Sequence, residues 1–145
     1  MRKLNSNSLI SLVVPVYNES GVVEIFLDKI SSVLAKIDYK YEIIFINDGS
    51  TDDTLLELER IYEGYKNIRI VSFSRNFGKE AAISAGLDYS HGDALIPIDV
   101  DMQDPPELII DFIKFWQDGY DVVYGIREDR ALDSIGKRIT SQIFY

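Results

Sequence analysis

The chain has 145 residues, enough for one domain with a sizeable core, and its 46% hydrophobic, 27% charged and 12% aromatic content is that of a globular protein rather than a disordered or fibrous one. Acidic side chains outnumber basic ones by 24 to 15, a net charge of -9, which argues against a nucleic-acid partner because a phosphate backbone is bound by clustered Lys and Arg. No cysteine is present, which removes disulfides and thiolate metal sites and agrees with a cytosolic setting.

Residues 1–8 form a tail: the cations Arg2 and Lys3 are followed by Asn5, Ser6, Asn7 and Ser8, and no small-residue cleavage site marks a secretion signal. Strand-like apolar runs then recur at 10–16, 41–46, 68–73, 94–98 and 121–125, with helical patterns between them at 22–37, 53–62, 79–89 and 107–117. The runs are rich in Val and Ile and mostly continuous, as expected of strands buried on both faces. Ser50 with Asp53 makes a capping-box pattern, Gly64 and Gly119 sit where helices should stop, and Pro105-Pro106 suits a helix start. Repeated strand–helix–strand units imply an α/β domain with a mostly parallel sheet, right-handed crossovers and helices on both faces. No apolar stretch approaches the roughly 18–20 residues that a membrane-spanning helix needs. Residues 132–145 read as an amphipathic helix without a terminal cap, so the expectation is a domain over 9–145 that is truncated at its C-terminus.

Ligands of such sheets bind outside the carboxyl ends of the strands. Four polar clusters fall there: PVYNES at 15–20, NDGSTDDT at 47–54, SRNFGK at 74–79 and DVDMQDPPE at 99–107. The first three can each be read as ordinary turn or cap chemistry. The fourth is harder to dismiss. Asp99 and Asp101 flank Val100 at a strand end, and neighbouring carboxylates repel unless a cation joins them. Oxygen ligands of this kind suit Mg²⁺ or Mn²⁺, shared with substrate phosphates. His91, the only histidine, reads as a surface turn residue, Phe112, Phe115 and Trp116 as core or interface, and Met102 as an apolar plug beside the acidic pair.

In this order the four clusters resemble the family 2 glycosyltransferases, which have the GT-A fold, over about residues 9–127. SRNFGKEAA, DVDMQDPPE and GIREDR are most similar to the polyprenyl-phosphate hexosyltransferases of that family, the bactoprenol glucosyltransferases and dolichol-phosphate mannose synthases. The resemblance implies that Pro15, Tyr17 and Glu19 hold the base and ribose of a nucleotide sugar. It implies that Asp48 reads the base, on a turn shaped by Gly49 and Ser50. Asp99 and Asp101 would carry Mg²⁺ or Mn²⁺ against the donor diphosphate, with Gln103 in a neighbouring ligand position. Arg127 matches a phosphate-binding position, and Arg130 lies close to it. Arg75 and Lys79 are read equally as facing the donor or the solvent, and Lys137 with Arg138 as a basic helix face.

The implied activity is inverting, metal-dependent transfer of a hexose, from UDP-glucose by preference, to a polyprenyl phosphate at the cytoplasmic face of the membrane. The catalytic base and the membrane-associating segments are expected beyond Tyr145, so this chain should bind donor and metal but turn over poorly. A homo-oligomer is compatible with the sequence. Rival readings are a soluble family 2 enzyme that builds polysaccharide or glycolipid, and a non-catalytic nucleotide-sugar-binding module. A nucleotidyltransferase is disfavoured by the acidic first loop, and a dinucleotide oxidoreductase by the lack of G-x-G-x-x-G after the first strand. Val100 stands where the polyprenyl-phosphate enzymes have Ala between the paired aspartates.

Overall fold

A computed structural model of the chain describes residues 8–126. The elements alternate as expected: β1 (Leu9–Val16), α1 (Val23–Leu34), β2 (Lys40–Asn47), α2 (Thr54–Gly64), β3 (Ile68–Ser72), α3 (Lys79–Tyr89), β4 (Ala94–Pro97) and α4 (Leu108–Gln117). The four strands form one parallel sheet in the order β3-β2-β1-β4. Strand order reverses between β1 and β4, and in open parallel sheets the crevice at such a switch point is where ligands bind.

Strand periodicity sorts the apolar residues between two layers. Ile10, Leu12, Val14 and Val16 of β1, with Ile43 and Phe45 of β2, pack under α1, α2 and α4 in the larger core. Phe26 of α1 meets Phe45 edge-on, with ring centroids 6.1 Å apart. Val13, Ile44 and Ile46 point the other way and pack with Ala82 of α3. Helices therefore cover both faces, three against one. Each of these buried Ile, Leu, Val and Phe side chains contributes about 1.5–3 kcal/mol of hydrophobic stabilisation. On the α3 side the contact is close: a methyl at Gly86 would collide with the Val13 side chain.

Three local expectations are corrected. The run at 121–125 forms no strand; Val122, Tyr124 and Ile126 are 79%, 76% and 75% exposed, and β4 remains the sheet edge among the described residues. β-branched content permits a strand, but a strand exists only where its backbone groups find a neighbour to pair with. The capping box of Ser50 with Asp53 does not form, because Ser50 Oγ instead accepts the Asn18 amide at 3.0 Å, and Asp53 makes no side-chain cap. The first helix stops at Leu34 rather than 37, since the amides of Lys36 and Ile37 bond three residues back, to Val33 and Leu34, tightening the last turn. Gly119 (φ 107) and Pro105-Pro106 do punctuate α4 as read. The helix expected at 132–145 lies outside the described residues.

Candidate functional site

The loops after β1, β2, β3 and β4 are tied to one another. Asn18, in the left-handed region at φ 54, donates its amide to Ser50 Oγ, and its side-chain oxygen accepts the Thr51 amide at 2.8 Å. The next three amides follow suit. Glu19 donates to Thr54 Oγ1 at 2.9 Å, Ser20 to Asp52 Oδ2 at 3.2 Å and Gly21 to Glu57 Oε2 at 2.7 Å. The other Glu57 oxygen accepts the Glu24 amide at 3.2 Å, so a carboxylate from α2 caps the start of α1.

Asp48 fastens the second loop to the third. It is 3% exposed, and its two oxygens accept the amides of Phe77 at 2.7 Å and Gly78 at 2.9 Å. Gly49 sits at φ 69 against the backbone of Arg75 and Asn76, where any side chain would collide. Both groups of the expected base-reading turn therefore make contacts that build the loop.

These connections shape a cleft of about 270 Å³ at the ends of β1 and β4, lined by Pro15, Tyr17, Glu19 and Asp48, by Asn76, Gly78 and Lys79, and by Asp99, Val100 and Asp101. Six of the expected donor-binding residues thus meet in one place. Tyr17 is half exposed there, while Gly49 and Ser50 stand behind the cleft as loop supports. Burial, and after it the negative charges of Asp101 and Asp52, raise the Glu19 carboxyl above the usual carboxylate range. In contrast, the Thr54 hydroxyl and the amides of Thr54 and Ser20 hold Asp52 below it, against a smaller opposing effect of burial.

The acidic pair is arranged asymmetrically. Asp99 is bridged on both oxygens by the Lys79 ammonium, at 2.6 and 2.7 Å. Asp101 accepts the Gln103 side-chain amide at 2.7 Å and the Gln103 backbone amide at 3.3 Å. Gln103 thus presents its amide nitrogen to Asp101. Met102 between them adopts φ 49 and packs against the core, as its reading as a plug anticipates. The donor set fits a hard divalent cation held jointly with phosphate oxygens, because Asp99 and Asp101 line the same cleft and offer only oxygen. Among the described residues no group of three His, Cys, Asp or Glu side chains is gathered into a fuller ligand set.

A second cleft, of about 1010 Å³, shares Pro15, Lys79 and Asp99 with the first and runs beneath α4 along Leu95, Leu108, Phe112 and Val122. Trp116 is buried edge-on against Tyr39, as expected of a core residue, while Phe115 is half exposed against Tyr120. Arg75 lies over the Phe77 ring at 4.4 Å and is not among the residues that line the smaller cleft. Arg127, Arg130, Lys137 and Arg138 lie outside the described residues. Lys79, which by sequence faces donor or solvent equally, belongs to the cleft. Its signal was its position at the first turn of a helix that follows the third polar cluster. Of the supports, Thr54 closes the second polar cluster, whereas Glu57 carried no comparable signal, because it reads as an ordinary helix residue.

Comparison with known proteins agrees with this geometry. The profile of glycosyl transferase family 2 matches residues 11–143. A prophage bactoprenol glucosyl transferase homologue of Escherichia coli is 47% identical over 94% of this chain and 44% of its own length. A mannosyltransferase of Pyrobaculum calidifontis, solved with GDP-mannose and Mn²⁺, superposes with TM-score 0.57 at 26% identity, over 66% of this chain and 28% of that one. Glucosyl-3-phosphoglycerate synthase of Mycobacterium tuberculosis, solved with UDP, gives TM-score 0.57 at 29% identity, over 79% of this chain and 41% of that one. The chain spans less than half the length of the curated relatives it matches. With four motif-bearing loops gathered at the switch point of a GT-A sheet, the chain belongs to glycosyl transferase family 2.

Proposed function

We propose that this chain is the donor-binding part of an inverting glycosyltransferase that moves a hexose from a nucleotide sugar, UDP-glucose by preference, to a polyprenyl phosphate at the cytoplasmic face of the membrane. The observation that carries the reading is the cleft in which Tyr17, Glu19, Asp48, Lys79, Asp99 and Asp101 come together at the switch point. The bactoprenol glucosyl transferase name of close relatives favours the lipid phosphate over a soluble acceptor.

The residues divide the work. Tyr17 offers an exposed ring beside Pro15, on which a nucleobase or ribose can stack. Asp48 acts by holding the Phe77–Gly78 backbone, which fixes one wall of the cleft. Asp99 and Asp101 would hold Mg²⁺ or Mn²⁺, and Gln103 keeps the Asp101 carboxylate in place. A bound divalent ion would supply Lewis-acid neutralisation of the charge that develops on the departing nucleoside diphosphate. It also reconciles a net charge of -9 with an anionic donor. Arg127 and Arg130 are assigned to the acceptor phosphate, whose geometry suits a guanidinium. An acceptor phosphate is already ionised and asks little of a general base, which we place beyond Tyr145.

Calorimetric titration of UDP-glucose into the chain, with Mn²⁺, with EDTA and with Asp101→Ala, tests the reading. Binding that needs the metal and is lost in the variant is the expected result. A folded chain that binds neither UDP-glucose nor GDP-mannose under any of these conditions would sink it.

A further inference from the structure

The ion pair of Lys79 with Asp99 is an unusual thing to find in a cleft expected to receive a cation. Both side chains are about half exposed, at 59% and 49%, where a flexible lysine gains little from a single carboxylate. Yet the ammonium sits against both oxygens, at 2.6 and 2.7 Å. The backbone explains the placement. Asp48 pins the Phe77 and Gly78 amides, Gly78 turns the chain at φ 97, and Lys79 follows as the first residue of α3. Its stem therefore starts from a fixed point on the lip of the cleft, opposite the end of β4.

We propose that Lys79 is an internal counter-ion that holds the place of the divalent cation. It neutralises Asp99 while the cleft is empty, yields that carboxylate when a metal ion arrives, and then turns its ammonium to the diphosphate of the donor. The proposal rests on the donor-site reading above and adds to it a residue with two successive partners. The physical basis is simple. A carboxylate bridged on both oxygens by an ammonium has its inner lone pairs taken and offers a metal only the outer ones, and two cations against one carboxylate repel. The freed ammonium, compact and carrying three donors, suits phosphate oxygens as a point charge.

The consequence is a pair of opposite effects from one substitution. Lys79→Met keeps the length of the stem and removes the charge. Mn²⁺ alone should then bind about two- to fivefold more tightly than to the wild type, the range expected for losing a competing exposed ion pair. UDP, titrated at saturating Mn²⁺, should bind about ten- to a hundredfold more weakly, as expected for the loss of one charge-assisted contact. Lys79→Arg, which retains the cation, should move Mn²⁺ affinity much less.

Mn²⁺ binding is read by the electron paramagnetic resonance signal of the free ion, UDP binding by calorimetry, and folding of each variant by circular dichroism. A lysine that merely stiffens the loop would weaken both ligands when replaced, and an uninvolved surface lysine would change neither. Either pattern, in a wild type that binds both ligands, overturns the proposal and leaves the donor site standing. A folded wild type that binds neither Mn²⁺ nor UDP removes the donor-site reading itself, and the proposal with it.

Discussion

Asp48 separates loop architecture from ligand recognition, and Asp48→Asn is the perturbation that does so. The substitution keeps the shape and removes one acceptor. Its amide oxygen can still take the Phe77 or the Gly78 amide, but its NH₂ then faces the other one, donor to donor. The site is 3% exposed, so water cannot repair the loss. Hydrogen bonds to charged groups contribute about 1.5–3 kcal/mol, and an orphaned buried amide costs about 1–3 kcal/mol. The expected destabilisation is therefore about 2–3 kcal/mol, equivalent to about 5–10 °C in Tm for a chain of this size. Urea denaturation followed by circular dichroism, without nucleotide or metal, measures it. The midpoint should fall with the slope unchanged, which marks lost stability rather than an altered denatured state. A loss below about 0.5 kcal/mol, the range of an inconsequential surface change, refutes the loop-pinning role. If stability then holds while UDP binding disappears, the carboxylate serves the ligand and not the backbone.

Gly86→Ala replaces a poor helix former by the best one, a gain of about 1 kcal/mol in an open helix. Here it should instead destabilise by about 1–3 kcal/mol, because the new methyl meets Val13, and Val13→Ala in the same chain should recover part of the loss in a double-mutant cycle. Glu42 gives a pH dependence. Burial pushes its carboxyl up, but the Ser11 hydroxyl, the His91 amide and the Arg69 guanidinium together outweigh that and hold it below its ordinary value of 4.5. A depressed carboxylate stabilises the fold above that value, and the contribution is lost as pH falls through the folded-state pKa. Denaturation midpoints of wild type and Glu42→Gln, measured from pH 7 down to the acid limb, should accordingly converge as pH drops; a constant gap would contradict the assignment. Glu57→Ala should cost about 1 kcal/mol by uncapping α1, read as a lower urea midpoint.

Much of the fold was legible because it depends on periodicity. The continuous apolar runs at 10–16 and 41–46 became β1 and β2 within a residue or two, and α3 was bounded correctly at both ends. The run at 121–125 was not legible, since composition reports what a segment can do while a strand needs a partner that composition does not name. The same gap separates the site's members from their couplings. PVYNES, NDGS and DVD announced themselves by position after strands, and eight of their residues line one cleft. That Asp48 would spend both oxygens on the third loop, or that Lys79 would bridge Asp99, depends on contacts 20 to 30 residues apart along the chain. Ser50 shows the cost of local reasoning: its capping-box pattern is real in sequence, yet a loop 32 residues earlier supplies a better donor.

Those couplings also say where an anionic ligand can go. The N-terminus of the first helix of such a sheet is an obvious anion site, with free amides and a favourable dipole. In this chain it is already partly taken. The amides of Gly21 and Glu24 belong to Glu57, those of Asn18, Glu19 and Ser20 in the preceding loop to Ser50, Thr54 and Asp52, and no glycine-rich turn follows β1. A second anion there would meet Glu57 and Asp52 at close range. Positive charge at the switch point has to come from elsewhere, and the described part of the cleft offers it at one place, where Lys79 meets Asp99 beside Asp101. An acidic loop at the end of β4 is thus the counterpart of an occupied helix terminus after β1. On the proposed reading, a cation brought by that loop does for the diphosphate what the first helix does in dinucleotide-binding sheets. Glu57→Ala carries a consequence for this partition: it reopens the helix terminus, so weak metal-independent phosphate binding should appear there while metal-dependent UDP binding at Asp101 persists.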